Sequence, residues 1–329
     1  MKIDRDMIAD TEELEVRIRK VRAETSEIRS FELESVNDQP LPAFQAGAHI
    51  SITPFPGLTR QYSLVNDPAD RSRYLIGVKR ELNGRGGSSA MHTQLQEGGT
   101  VRISAPRNNF ALREGGEGRR LLLAGGIGVT PLLSMAQALA SEGQDFELHY
   151  FARSNAEIAF RDLILESGWS DRVAYHYGLV PPLLTEVLQE ILQGGGHSVY
   201  LCGPNPFMDV VRHCATVTGW PADAVILEHF SAEVPVLTPG EGEFVLRLAK
   251  SGLELVVPSD RTIIEVIREA GIEIKTSCEQ GVCGTCITEV IEGEVEHNDL
   301  FLSPDEQDGG RLIMPCVSRC TSRLLVLNI

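Results

Sequence analysis

Three of the chain's seven cysteines fall within nine positions, in "TSCEQGVCGTCITEV", residues 276–290. Cys278, Cys283 and Cys286 have C-x4-C-x2-C spacing, and Cys316 follows after 29 intervening residues in "MPCVSRC". Thiolates so arranged suit soft metals, and a loop that wraps one iron while a distant thiolate completes the other is the pattern of a plant-type [2Fe–2S] site. Gly281, Gly284 and the small Thr285 would let backbone amides approach the sulfides of an anionic cluster. A structural zinc site is the rival reading, although its ligands usually come as two C-x2-C pairs; here there is one pair, with Cys316 and Cys320 four apart. Disulfides are a third reading, suited to an oxidising compartment. Cys202 and Cys214 stand in apolar stretches and read as small buried hydrophobes, and Cys320 as a bystander.

A cluster accepts one electron at a time, so a donor must stand behind it. "RQYSLVND", residues 60–67, resembles the R-x-Y-S flavin signature of the ferredoxin–NADP reductase superfamily. In that reading Arg60 neutralises a phosphate, Tyr62 covers the ring, and Ser63 hydrogen bonds near the flavin N5 edge, with Gln61 at the permissive position between them. The bland alternative puts Arg60 and Tyr62 on the solvent face of a strand. In "KRELNGRGGSSAMH", Lys79 opens a segment in which Gly84, Gly86 and Gly87 precede Ser88, Ser89 and a helical stretch. That is an amide-lined anion site with Arg85 beside it, or an ordinary Asn-Gly turn. "AGGIGVTPLLSM" follows an apolar strand and opens a helix, which sets Gly125, Gly126, Gly128, Thr130 and Pro131 where a pyrophosphate meets a helix amino end. It is not G-x-G-x-x-G; it resembles the nicotinamide motif of the same superfamily, whose companion C-G-P is Cys202, Gly203 and Pro204 here. The same resemblance lays Glu228 and Phe230 over the flavin, with Phe230 as plain core the alternative. Arg153 and Ser154 follow the second strand of that region, where the adenine ribose belongs, and no cluster of cations accompanies them, so NADH is expected to be preferred to NADPH.

The elements that must position these residues fall into three parts. A chain of 329 residues with 42% apolar side chains has room for two or three cores. Residues 12–114 read as short alternating runs, such as "IRSFELES" and "RYLIGVKR", broken by Gly, Pro and Asn, and predict an antiparallel β-barrel for the flavin. Residues 118–230 alternate apolar strands with helical stretches and predict an α/β, doubly wound parallel sheet for NAD. Residues 231–243, "SAEVPVLTPGEGE", read as a linker. Residues 244–329 open with a hairpin pattern and a helix that Asp260 can cap and Gly271 can stop, then carry the cysteine loop, an α+β domain. The uncharged run Leu121–Ser141 is cut by glycines and Pro131 into strand, turn and a helix begun by the proline, which argues against a membrane span. The charged amino terminus is no secretory signal, so a cytoplasmic location is expected. A net charge of −16 repels nucleic acid and anionic lipid, leaving proteins and small molecules as partners.

In this order, flavin barrel, nicotinamide domain and carboxyl-terminal plant-type ferredoxin, the chain resembles the phthalate dioxygenase reductase family over nearly its whole length. The resemblance implies a β-grasp ferredoxin fold, FMN as flavin, NADH as donor, and a Rieske-type terminal oxygenase as recipient. A single phosphate-like site, with no adenylate surface identifiable, also favours FMN over FAD. Hydride brings two electrons together and the cluster takes one, so the flavin divides them; the protein stacks the rings and tunes potentials, and no acid–base residue is required. From Glu241 onward there are 16 acidic and 8 basic residues, a charge of −8 that suits docking on a basic partner surface. A free-standing flavin or ferric reductase would not need the four cysteines, and a ferredoxin carrier would not need the first 230 residues. The nearer alternative is the same relay, with FAD, serving a haem or diiron monooxygenase.

Overall fold

Alternation of apolar and polar residues dictates the first sheet. In β1 (Glu13–Ala23) Val16 and Ile18 point inward, in β2 (Ile28–Ser35) Phe31 and Leu33, and in β3 (His49–Phe55) Ile50 and Ile52, each pair on one face of its strand. With β4 (Leu58–Ser63), β5 (Arg73–Lys79) and β6 (Thr100–Ser104) they form a sheet of order β4-β3-β6-β1-β2-β5, antiparallel throughout. A bridge from Leu64 to Ile76 and a 2.8 Å bond from Val65 N to Leu75 O bring the chain past β4 back onto β5, closing a barrel. Each large side chain buried inside it contributes roughly 1.5–3 kcal/mol. This computed structural model describes residues 13–55, 58–81, 86–113, 115, 118–230 and 242–329; Arg85 and most of the expected linker lie outside them.

The next segment winds a parallel sheet of order β11-β10-β7-β8-β9 from β7 (Arg120–Gly125), β8 (Phe146–Ala152), β9 (Val173–Tyr177), β10 (Ser198–Cys202) and β11 (Val225–Glu228). β7 and β10 are buried along their whole length, which is why they read as continuous apolar runs. Four helices accompany them: α2 (Val129–Ser141), α3 (Arg161–Leu165), α4 (Pro181–Gln193) and α5 (Asn205–Val217), preceded in the barrel by α1 (Gly87–Gln94). The uncharged run Leu121–Ser141 is a strand, a tight turn and a helix, although the helix begins at Val129 and not at Pro131. From β7 the chain steps to β8 on one side and later to β10 on the other, so a crevice opens at the carboxyl ends of β7 and β10.

Barrel and parallel sheet belong to one compact unit that ends at Glu228; a second runs from His229 to Ile329. Within the first, Ser134 and Gln137 of α2 donate to Asn66 O (3.0 Å) and Val65 O (2.6 Å) beyond β4. Phe160, in the left-handed region at φ 57°, donates its amide to Glu24 Oε2 at 2.9 Å, and its ring presses on Gly77 of β5, where a Cβ would come within 2.9 Å.

In the second unit β12 (Phe244–Leu248) and β13 (Glu254–Val257) form the expected hairpin, followed by α6 (Ile263–Glu269), β14 (Thr288–Glu292), β15 (Val295–Glu296), α7 (Pro304–Asp308), β16 (Leu312–Ile313), β17 (Arg319–Cys320) and β18 (Leu324–Leu327). The sheet order is β13-β12-β18-β14-β16, with β12 and β18 parallel, and Ile263, Val266 and Ile267 of α6 pack into its core, as in a β-grasp. The cap of α6 is Thr262 and not Asp260: Thr262 Oγ1 accepts from Glu265 N, and Glu265 reaches back to Thr262 N at 2.8 Å. No helix among the described residues is long and apolar enough to cross a membrane.

Candidate functional site

The segment between α6 and β14 has no regular structure, and it turns at Glu279, Gly281 and Gly284, with φ of 54°, 74° and 74°. Glu279 is held in this conformation by Arg268 at 2.6 Å. The turns gather the four thiols into two pairs. A hydrogen bond joins Cys278 to Cys283, raising the first thiol and lowering the second, and Cys316 is hydrogen-bonded to Cys286, a contact that with burial pushes Cys316 up. Backbone amides are aimed at the sulfurs: Gln280 and Val282 at Cys278, Thr285 at Cys283, and Gly281 at Cys316. Such donors favour thiolates. Among the described residues no three or more His, Cys, Asp or Glu side chains gather as they would around one ion. Two thiol pairs make a donor set for two adjacent irons, one pair each.

In the first unit, Arg60 on β4 is 9% exposed, and its side chain lies against Gly87, where a Cβ would come within 2.8 Å of Arg60 Cγ and Nε. Gly86 leads into α1 at φ 83°, a conformation that disfavours side chains. A guanidinium and the amino end of a helix thus converge, as a phosphate dianion requires. Ser88 Oγ accepts from Glu81 N at 2.9 Å, tying α1 to the chain beyond β5, while the Lys79 ammonium is committed to Glu81 at 2.8 Å. Ser89 O accepts from Thr93 Oγ1 within the helix. Tyr62 packs on the barrel core, and burial raises its hydroxyl although Arg60 opposes the shift. Gln61 pairs with Ser51 across β3 and β4.

Parallel register brings the remaining groups together. Cys202, the last residue of β10, sits opposite Ala124 of β7 and Glu228 of β11. Ser63, from the barrel, hydrogen bonds the Glu228 carboxyl, whose Oε2 is sealed from solvent without a partner. Burial pushes that carboxyl up to about 8 against the lowering effect of Ser63, and burial with the nearby Glu228 charge raises the Cys202 thiol. The glycines here are demanded by close approach. A Cβ on Gly128 would lie 2.7 Å from Gly203 N and nearer still to Cys202 O; one on Gly125 would meet Pro204 Cδ at 2.9 Å and the Phe207 ring. Thr130 turns its hydroxyl back to Ile127 O at 3.0 Å, and Pro131 is buried within the first turn of α2.

Other expected residues stand apart. Arg153, at the carboxyl end of β8, is solvent-exposed and held by Glu157 (2.8 Å) and Glu27 (3.5 Å); Ser154 leads into the single turn Asn155–Glu157. Phe230 is half-buried and falls in the other unit. Sequence reasoning missed Asn66, 2% exposed, whose amide nitrogen bonds Asp67, Asp70 and Arg73 carbonyls and whose oxygen accepts from Leu75 N, fixing the turn after Ser63. An Asn-Asp-Pro turn signature was its available signal. Phe207 and Asp299 were likewise missed.

The sequence profile of the 2Fe-2S iron-sulfur cluster binding domain family matches residues 246–321. Vanillate O-demethylase oxidoreductase of Pseudomonas sp. (strain HR199 / DSM 7063) is 42% identical over 96% of this chain and 100% of its own length. Oxidoreductase NdmD of Pseudomonas putida is also 42% identical over 93% of this chain, which spans only 52% of that longer protein. Among solved structures, phthalate dioxygenase reductase, described as modular for electron transfer from pyridine nucleotides to [2Fe-2S], superposes with a TM-score of 0.80 at 38% identity, covering 96% of this chain and 98% of that one.

Proposed function

Since the chain belongs to the phthalate dioxygenase reductase family of oxidoreductases, we propose that it passes electrons from NADH through FMN to a [2Fe–2S] cluster and on to a Rieske-type terminal oxygenase. The observation that carries the reading is the pairing of Cys278 with Cys283 and of Cys286 with Cys316, under amides aimed at the sulfurs. The chemistry that bound FMN and cluster supply is the conversion of a hydride's two electrons into single electrons.

The rest is done by the chain. Arg60 and the amino end of α1 hold the flavin phosphate, with Gly87 bare so that guanidinium and helix can meet. Gly125, Gly128 and Gly203 let two loops touch backbone to backbone, leaving a floor on which a nicotinamide can lie beside Cys202. Glu228 keeps a proton on its carboxyl at neutral pH, and that buried proton would be held beside the Ser63 hydroxyl, where the flavin edge would lie. This is an acid–base role that the sequence did not call for. Glu157 and Glu27 occupy Arg153 and set negative charge where a 2′-phosphate would come, which favours NADH over NADPH. Four thiolates persist in a reducing compartment, and we place the relay in the cytoplasm.

Reconstitution tests the whole: with a Rieske-type oxygenase encoded beside it, the protein should support NADH-dependent turnover, and acid-released flavin should chromatograph as FMN. Turnover with a haem or diiron monooxygenase alone, or release of FAD, would move the reading to the alternative relay.

A further inference from the structure

The turn after β15 is built around one carboxylate. The Asp299 side chain is 0% exposed. Its Oδ2 accepts from the amides of Leu302 (2.9 Å) and Phe301 (3.3 Å), and its Oδ1 accepts from Ser318 Oγ at 3.1 Å and lies 3.3 Å from His297 Nδ1. These partners belong to two separate segments. Leu302 and Phe301 are in the turn that rests on the cysteine loop: the intervening Leu300 donates to Gly281 O at 3.0 Å, and the Phe301 ring covers Gly284, where a Cβ would meet it within 2.6 Å. Ser318 lies two residues past Cys316, and Asn298 doubles the link, its amide 3.2 Å from Ser318 Oγ and its Nδ2 3.3 Å from Val317 O.

We propose that Asp299 is a positioning residue that locks the loop of Cys278, Cys283 and Cys286 against the turn of Cys316, so that the two thiol pairs keep the spacing a cluster needs. The inference rests on the cluster reading above. A buried carboxylate is suited to the task because it accepts several bonds at once and donates none, so it can hold donors from both segments. It also places negative charge behind the cysteine loop, which opposes the addition of an electron to the cluster.

Asp299→Asn keeps the shape but sets an amide where an acceptor stood. In the reconstituted full chain, its visible iron–sulfur absorbance should decay under a chelator about ten-fold faster or more, its cluster midpoint potential should rise, and the Leu300 amide should exchange faster in deuterated water. NADH reduction of ferricyanide, which needs neither segment, should be unchanged. Ser318→Ala removes only the arm to the Cys316 turn, which keeps the proposal testable if Asp299→Asn fails to fold: chelator release should quicken less than in Asp299→Asn while the Leu300 amide keeps its protection. Wild-type release, potential and exchange in Asp299→Asn, or wild-type release in Ser318→Ala, would overturn the role of Asp299 and leave the cluster reading intact. Absence of iron–sulfur bands from reconstituted wild-type protein would overturn both.

Discussion

Gly128→Ala tests whether the nicotinamide floor depends on two backbones in contact. The φ of Gly128 is −59°, which alanine adopts freely, so the cost is steric alone. The added Cβ would lie 2.7 Å from Gly203 N and closer to Cys202 O. Ordinary contact lies near 3.5 Å, so the two loops must part by roughly 1 Å. Neither neighbour is a side chain that could swing aside. Overpacking of this kind costs about 1–3 kcal/mol, and a displacement near 1 Å in a reacting pair costs about 10²-fold in rate. In NADH-to-ferricyanide assays kcat/KM should therefore fall by about two orders of magnitude, while the cluster bands in the other unit persist. The melting temperature should fall by about 2–4 °C per kcal/mol. Gly126→Ala is the comparison for stability: φ is 55° and nothing lies within 4 Å of the new Cβ, so it should cost only the roughly 1–2 kcal/mol of a left-handed alanine. If Gly128→Ala kept wild-type kcat/KM and melting temperature, the reasoning from close approach would be wrong.

Cys283→Ser should bleach the iron–sulfur bands and abolish electron delivery to cytochrome c or an oxygenase, yet leave most NADH-to-ferricyanide activity; undiminished oxygenase turnover in a variant shown to lack the cluster would refute the order of the relay. Glu228→Gln bears on pH. Because the wild-type carboxyl is raised to about 8 from 4.5, the folded protein holds a proton that the unfolded chain releases, so the contribution of Glu228 to stability is full below about pH 4.5 and is lost as pH rises toward 8. The variant should lack that dependence, which amounts to a ten-fold change in the unfolding constant per pH unit within the window, and denaturant titrations at pH 5 and pH 8 decide it. Arg319, 6% exposed, donates to the carbonyls of Gly242, Pro258 and Arg261 at 2.7–2.9 Å; Arg319→Met should destabilise the ferredoxin unit by about 3 kcal/mol, read from cluster absorbance in urea, and a loss below about 0.5 kcal/mol would mean those carbonyls find other partners.

What was legible in the sequence was local. The cysteine spacing, the barrel strands with their alternating Val16, Ile18, Phe31 and Leu33, and the glycine turn after β7 each declare themselves within about a dozen residues. Thr262 with Glu265 three residues on is a readable capping box, and Asp260 competes with it because its residue type also caps helices. The meeting of Ser63, Cys202 and Glu228 was accessible only through family resemblance, since parallel register is set by the packing of whole strands and leaves no local mark. Asp299 was invisible for the same reason. Its partner Ser318 is nineteen residues away, and a lone buried carboxylate carries no period.

The bonds from Ser134 and Gln137 to the backbone of Asn66 and Val65 act at mid-helix, while the amino end of the same helix α2 carries the turn of Gly128 and Thr130. Barrel and parallel sheet therefore share a strut, and neither can lose its order without exposing the other's buried polar groups. The first unit should accordingly absorb heat as a single cooperative block in calorimetry, with calorimetric and van't Hoff enthalpies in agreement for that transition. Hydride donor and acceptor rings bound on such a block would be held in register by its stiffness.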